Sequence, residues 1–564
     1  MTAQSCFAPM PGRVLQLSSV DEALAWLKAV GVRSLQCDSR RVQPGDAFIA
    51  WPGLATDGRR YVLPALQAGA CACLVEADGL LEGGWPAQWA SGLPGDDGVP
   101  LVAALPGLKA ATGMLASAFF NQPSRDVAVV AITGTNGKTS TAWWLAQALA
   151  AAGWPCGVVG TLGVGLPGPA SRALAHMHPT GLTTPDPVTL QTSLRQWANA
   201  GVRACAIEAS SIGLVEHRLH GTEVRVAVFT NFTQDHLDFH GSMASYWAAK
   251  RALFDWPGLQ AAVVNVDDPQ GRALAKDLEQ RPGFVLWTVS LHSLEGGLVS
   301  GGAQTGRATS SHLCVRQRQV TPWGMRLVVA EGVHTAMLDV PLVGDYNAAN
   351  LLGVLASMRA LGWSLQDAAT ACGQIGAVPG RMEQVNRLLM PTTEGGREQS
   401  GAPMPALPLV LVDYAHTPDA LEKALQALQP LASARGGQLH AVVGCGGDRD
   451  ATKRPLMAAA AESCASHLCL TSDNPRSENP LAILAQMQAG LTQPDLARVE
   501  PDRSRAIADQ IALADVADVV LIAGKGHETT QEVAGVKHPF SDQAHALAAL
   551  QARMGQVRAE QAGR

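Results

Sequence analysis

Residues 133–140 read "TGTNGKTS", a spacing suited to holding phosphate. Gly134 and Gly137 permit a sharp turn, and the N–H groups of Thr135, Asn136 and the residues opening the next helix would face an anion, aided by the helix dipole. Lys138 would meet the β- and γ-phosphates of ATP, the Thr139 hydroxyl would ligate Mg²⁺, and Ser140 belongs to the same cradle. The loop is a variant, because Ile132 stands where the full pattern places glycine, five residues before Gly137. Further on, "ACAIEASS" supplies Glu208, and "FTNFTQDHLDFHGS" supplies Asn231, Asp235, His236 and Asp238. Glu208 and His236 are types that would hold metal beside the phosphates if their strands end on the same side. Kinase, ATPase, ligase and motor all fit these residues.

Positioning them requires a sheet. "DVAVVAIT", "CGVVGT", "ACAIEAS", "VRVAVFTN" and "AAVVNVDD" are short apolar runs separated by helical patterns, which predicts a largely parallel sheet covered by helices. In such a sheet the C-terminal strand ends share one edge with the phosphate loop. The first hundred residues, with a helix at "SVDEALAWLKAV" and strands at "GDAFIAW" and "ACLVEA", form a smaller α/β unit. From about 292 to 340 the rhythm turns β-rich, before a helix at "YNAANLLGVLASMRALG". A last alternation begins near Arg381, where "LVLVDYA", "LHAVVGCGG", "HLCLTSD" and "DVVLIAG" read as strands of a second doubly wound sheet. The Pro/Gly-rich stretch 391–408 reads as a flexible loop. The fold class is therefore α/β, with expected domains at 1–125, 126–376 and 377–564.

The whole chain excludes several classes. Its 564 residues exceed one core, and no apolar run reaches the roughly 18 residues a membrane span needs. A net charge of -6 without a long basic run speaks against nucleic acid or an anionic membrane as partner. The start "MTAQSCFAPMPGR" lacks the features of a secretory signal, and cytoplasmic residence is expected. The eleven cysteines are scattered without redox or zinc spacing and read as free, mostly buried thiols.

With "GTNGKT", "EASS", "TNFTQDHLDFH" and "YNAAN" in that order, the chain resembles the Mur ligase family, which adds amino acids to the peptidoglycan precursor. "DSRRVQPGDAFIAWPG", "DYAHTPDAL", "GCGGDRDATKRP", "DNPRSE" and "GKGHE" extend the likeness nearly end to end. The resemblance implies a UDP-binding domain, a central ATPase and a C-terminal Rossmann-like domain. It also implies that a substrate carboxylate attacks the γ-phosphate of ATP, giving an acyl phosphate that an amine then consumes. By its sequence context Lys250, in "YWAAKRALF", is a solvated helix lysine. The resemblance instead implies a carbamate formed with CO₂, so that Lys250 joins Thr139, Glu208 and His236 around metal, with Lys138, Lys250 and His236 catalytic. Asn347 and Asn350 are implied to face adenine.

For the sugar peptide, UDP-N-acetylmuramoyl-L-alanyl-D-glutamate, the resemblance implicates Ser39, Thr183, Thr184, Ser210, Glu216 and Arg218. Glu216 departs from the pattern, which carries glutamine there. For the incoming amino acid it implicates Arg449, Asp473, Asn474, Arg476, Gly524 and Glu528, all placed just after strands. The "DNPR" turn favours meso-diaminopimelate: its spare end offers an ammonium for Asp473 or Glu528 and a carboxylate for Arg476. Arg476 read without the family would cap the turn after Pro475. The alternatives are a relative that adds L-lysine, a ligase like folylpolyglutamate synthetase, and a nucleotide-binding regulator or kinase. A monomer is expected.

Overall fold

The computed structural model describes residues 14–53, 56–85, 89, 101–168, 174–292, 308–389 and 406–562. The N-terminal stretch 1–13 and residues 391–405 of the expected loop lie outside them. The fold is α/β with mostly parallel sheets. Its contacts divide into two compact units: Met1–Ala142, Gly153–Gly165 and His178–Ala262 form one, and Trp143–Ala152, Leu166–Met177 and Val263–Arg564 the other.

In the first unit, the N-terminal residues build a five-stranded parallel sheet in the order Val14–Gln16, Val102–Leu105, Ala72–Glu76, Asp46–Ala50, Ser34–Gln36. One face packs Leu27, Ile49, Leu74 and Leu115, the other Phe48, Val62, Val75 and Leu80. Burial on both faces explains why these strands are continuous apolar runs rather than alternating ones. The next strands run parallel in the order Val224–Phe229, Ala128–Thr133, Ala204–Glu208, Cys156–Gly160, and Gly163–Gly165 follows antiparallel. The first four match apolar runs read from the sequence. Their C-terminal ends, Phe229, Thr133, Glu208 and Gly160, lie along one edge.

In the second unit, Val285–Ser290 pairs parallel with Thr309–Thr321, which continues as an antiparallel meander through Gly324–Glu331 and His334–Val340. This is the β-rich excursion, and helix Asp345–Ala360 follows it. The C-terminal sheet runs Glu383–Gln384, Leu409–Asp413, Val519–Ala523, Leu439–Cys445, His467–Ser472, Arg498–Glu500, parallel except at its first strand. Beneath its C-terminal edge Arg503 is wholly buried against Asp542 and donates to the carbonyls of Ser472 (3.2 Å) and Ala523 (2.9 Å), fastening the ends of two strands. The described cysteines are free and mostly buried.

Candidate active site

The phosphate loop is built by the first unit's sheet edge. Gly134 has φ 144°, and a Cβ there would stand 1.9 Å from Thr230 Oγ1, so glycine is required both by conformation and by space. The tail of strand Val224–Phe229 clamps the loop from outside. Thr135 N donates to Asn231 O (2.8 Å), Asn136 N to Asn231 Oδ1 (2.9 Å), and Thr230 Oγ1 to Asn136 O (2.6 Å). Thr135 Oγ1 reaches Thr233 O (3.0 Å) and the Tyr246 hydroxyl (3.2 Å). Thr135 and Ser140 are buried, and helix Lys138–Ala151 starts at the loop's end. Lys138 Nζ folds back onto the carbonyls of Gly134 (2.9 Å) and Thr135 (2.8 Å).

Glu208, ending its strand, is buried at the same edge. Its Oε2 accepts from Thr139 Oγ1 (3.0 Å) and its Oε1 from Thr161 N (2.8 Å). This carboxylate beside the Thr139 hydroxyl is a hard-oxygen donor set, the chemistry that suits Mg²⁺ completing its shell with phosphate oxygens and water. His236, in a left-handed conformation (φ 50°), is half-exposed and lies 3.5 Å from Asp235. Among the described residues no group of three or more His, Cys, Asp and Glu side chains forms a metal site by itself.

Lys250 differs from its sequence context: only 1% of it is exposed. Helix Met243–Arg251, capped by Ser242, packs its last turn inward, and Lys250 Nζ donates to Gly134 O (2.7 Å) and lies 4.4 Å from the centre of the Tyr246 ring. Burial, then the nearby Lys138 charge, pushes its ammonium down to about 6. A neutral buried amine beside a cation fits conversion to an anionic carbamate.

A hydroxyl-rich strip adjoins Glu208. Thr161 Oγ1 meets Thr183 Oγ1 (3.2 Å), while Thr184 Oγ1 donates to Glu208 O (2.7 Å) and meets Ser210 Oγ (2.9 Å). Arg218 Nη1 donates to Thr184 O (3.0 Å). Ser39 follows Asp38, whose side chain caps its short turn. The neighbouring Cys37 thiol is held well above its ordinary pKa by burial and by Asp186, and the Asp186 charge also acts on Arg218. The Asp186 charge is thus felt both at Cys37, two residues before Ser39, and at Arg218. Glu216 is engaged by Lys109, at 2.5 Å.

In the second unit the expected amino-acid residues gather at the C-terminal sheet's edge. Asn474 Nδ2 donates to Glu528 Oε2 (2.8 Å), and the wholly buried Lys525 donates to Asn474 Oδ1 (3.0 Å) and Glu528 Oε2 (2.9 Å) and stands 3.5 Å from Asp473. Asp473 is raised above the usual carboxylate range by burial, against the pull of Arg503 and Lys525. Burial would raise Glu528 too, but bonds from Lys525 and Asn474 hold it below. Gly524 follows strand Val519–Ala523 close to Asp473, and Arg449 is exposed on the turn after Cys445. Arg476 (φ 52°) donates from Nη1 to Gly447 O (2.6 Å), bracing the neighbouring loop as a turn cap would, with its Nε 4.0 Å from Glu532. Asn347 and Asn350 are both buried. Asn347 Nδ2 donates to Val343 O (2.8 Å), and the residue lines a narrow crevice with Trp144, Val378 and Arg381.

The sequence reading missed Thr161, Lys525 and Lys109. Thr161 and Lys525 each follow a strand on the functional edge, a positional signal that was legible; nothing local marked Lys109.

Family profiles match at residues 31–94 (Mur ligase family, catalytic domain), 132–358 (Mur ligase middle domain) and 403–526 (Mur ligase, glutamate ligase domain). The UDP-N-acetylmuramoyl-L-alanyl-D-glutamate--2,6-diaminopimelate ligase of Acidovorax sp. (strain JS42) is 52% identical, over 96% of this chain and 98% of its own. The chain belongs to the Mur ligase family. A second Mur ligase with the same name, from Janthinobacterium sp. (strain Marseille), is 43% identical over 96% of this chain and 99% of its own. A solved structure of a UDP-N-acetylmuramoyl-L-alanyl-D-glutamate--2,6-diaminopimelate ligase superposes with a TM-score of 0.62 at 31% identity, covering 93% of this chain and 95% of the other.

Proposed function

We propose that this Mur ligase joins meso-2,6-diaminopimelate to UDP-N-acetylmuramoyl-L-alanyl-D-glutamate at the cost of ATP, a step of peptidoglycan precursor synthesis on which cell shape and division depend. The near end-to-end identity to relatives of that name carries the reading.

A carboxylate is a poor electrophile, so the γ-carboxylate of the D-glutamate attacks the γ-phosphorus and ADP leaves. The amine of diaminopimelate then attacks the acyl carbon of the resulting acyl phosphate, forms the amide and expels phosphate. Two anions meet in the first step, so the protein's task is alignment and charge neutralisation. The turn Gly134–Gly137 would receive the phosphates, and Lys138, whose Nζ sits on the loop carbonyls of Gly134 and Thr135, would meet the γ-phosphate. Thr139 and Glu208 would hold Mg²⁺, with His236 and a carbamate on Lys250 as further ligands, and the ion would supply positive charge beside the phosphates. Asn347 and Asn350 serve adenine. Ser39, Thr183, Thr184, Ser210 and Arg218 hold the sugar peptide. Arg449, Asp473, Asn474, Arg476, Gly524 and Glu528 hold the diamino acid, with Arg476 taking its spare carboxylate. Residues 1–125, 126–376 and 377–564 are the UDP-binding, ATPase and amino-acid domains of a monomeric cytoplasmic enzyme. No helix among the described residues is long and apolar enough to cross a membrane.

ADP release measured with ATP, the sugar peptide and a panel of amino acids tests the function. Release is expected only when all three substrates are present, with diaminopimelate preferred to lysine. Phosphate transfer without amide formation would establish the kinase or regulator reading instead, and preference for lysine would refute the substrate.

A further inference from the structure

Helix Leu108–Phe119 docks on the turn that follows the short helix Ser211–Val215. The docking is close. A Cβ on Gly113 would stand 2.2 Å from His220 O, one on Gly221 2.2 Å from Gly113 O, and the His220 ring meets Ala110 O (3.3 Å). The helix start is pinned, because Glu76 accepts from the capping Gly107 N (3.0 Å) and from the first helical amide, Leu108 N (2.8 Å). From this fixed first turn Lys109 reaches Glu216 at 2.5 Å, with the two side chains 31% and 16% exposed. A partly buried pair on a rigid docking surface is held more firmly than an exposed pair of mobile side chains.

Two residues beyond Glu216, past the left-handed His217 (φ 59°), stands Arg218. Its guanidinium has five donors, and the only side-chain bond it makes among the described residues is to Thr184 O. Burial lowers the Arg218 pKa while the charges of Glu216 and Asp186 oppose that shift, so the Glu216 charge is felt at Arg218. A carboxylate released beside such a fork would gain charge-assisted, even bidentate, hydrogen bonds.

We infer that Lys109 is a positioning residue which keeps the Glu216 carboxylate turned away from Arg218, leaving the Arg218 donors for a carboxylate of the sugar peptide. Without Lys109, Glu216 would occupy the fork and compete with substrate. The inference rests on the ligase reading above.

The test is steady-state kinetics of Lys109→Ala, measured both in the natural chain and in the Glu216→Gln background, with a thermal melt of every variant. In the natural chain the KM for the sugar peptide should rise about tenfold with kcat within about twofold, and in the Glu216→Gln background Lys109→Ala should move KM less than about twofold, the signature of coupled neighbours. Lys109→Arg should retain the natural KM. Equal KM increases in both backgrounds, or no increase in the natural chain, would overturn the inference. Should Lys109→Ala fail to fold, Lys109→Gln, which keeps the helix and most of the stem, carries the same comparison. Failure of the ligase reading would show earlier and separately, as an unaltered chain that does not use the sugar peptide.

Discussion

Burial, then the Lys138 charge, pushes the Lys250 ammonium down to about 6, and a neutral amine is the form that adds to CO₂, giving a carbamate and releasing a proton. The adjacent Lys138 charge, which disfavours an ammonium at Lys250, favours the anionic carbamate for the same electrostatic reason. Lys250→Ala should lose about 10²-fold or more in kcat, as when a preorganised electrostatic contact is removed, and regain part of it with formate or acetate in the buffer. Activity equal to the natural chain without any additive would make Lys250 a packing residue only. The role proposed for Arg476, taking the spare carboxylate of diaminopimelate, has its own test. Arg476→Ala should cost about 2 to 5 kcal/mol in kcat/KM for diaminopimelate, as for a buried charge pair stripped of one member, and much less for lysine. Equal losses for both amino acids would place Arg476 in bracing the Gly447 loop, where its Nη1 already bonds.

At the level of elements, the phosphate turn is shaped as much by the tail of strand Val224–Phe229 as by its own glycines. Thr230, Asn231 and Thr233 each bond the loop's backbone or its Thr135 hydroxyl. Gly134→Ala tests this dependence. A side chain at φ 144° and 1.9 Å from Thr230 Oγ1 forces the loop off its clamp. Strain of this kind is of order 1–3 kcal/mol, so the KM for ATP should rise about tenfold or more while circular dichroism shows the fold retained. An unchanged KM would mean that the clamp does not shape the site.

Across the whole molecule, buried ionisable groups set the response to acid. His527 is pushed down to about 4 by burial and the Arg381 charge, against the pull of Glu528, from an ordinary 6.5. Above pH 6.5 the ring is neutral in folded and unfolded chains alike. As pH falls from 6.5 through 4 the unfolded chain binds the proton first, so stability is lost over that window. Melting temperatures measured from pH 7 to 4 should fall, and His527→Gln should flatten the decline below 6.5. Parallel curves for the two proteins would refute the assignment.

The sequence by itself determined the α/β class, the apolar runs that became buried parallel strands, and the strand edge on which the phosphate-loop glycines and Glu208 gather. Those features are local: burial on both faces demands a continuous apolar run, and a strand's end is marked where that run stops. The phosphate loop was legible for the same reason, since its glycines and lysine are adjacent in the chain. Only the tertiary structure decided that Lys250 is buried, because its burial comes from packing against Gly134, 116 residues away. It alone also disclosed the Lys109 bond to Glu216 and the seat of Lys525 among Asp473, Asn474 and Glu528. Such partners are chosen by the approach of distant segments, and neither propensity nor spacing along the chain carries that information.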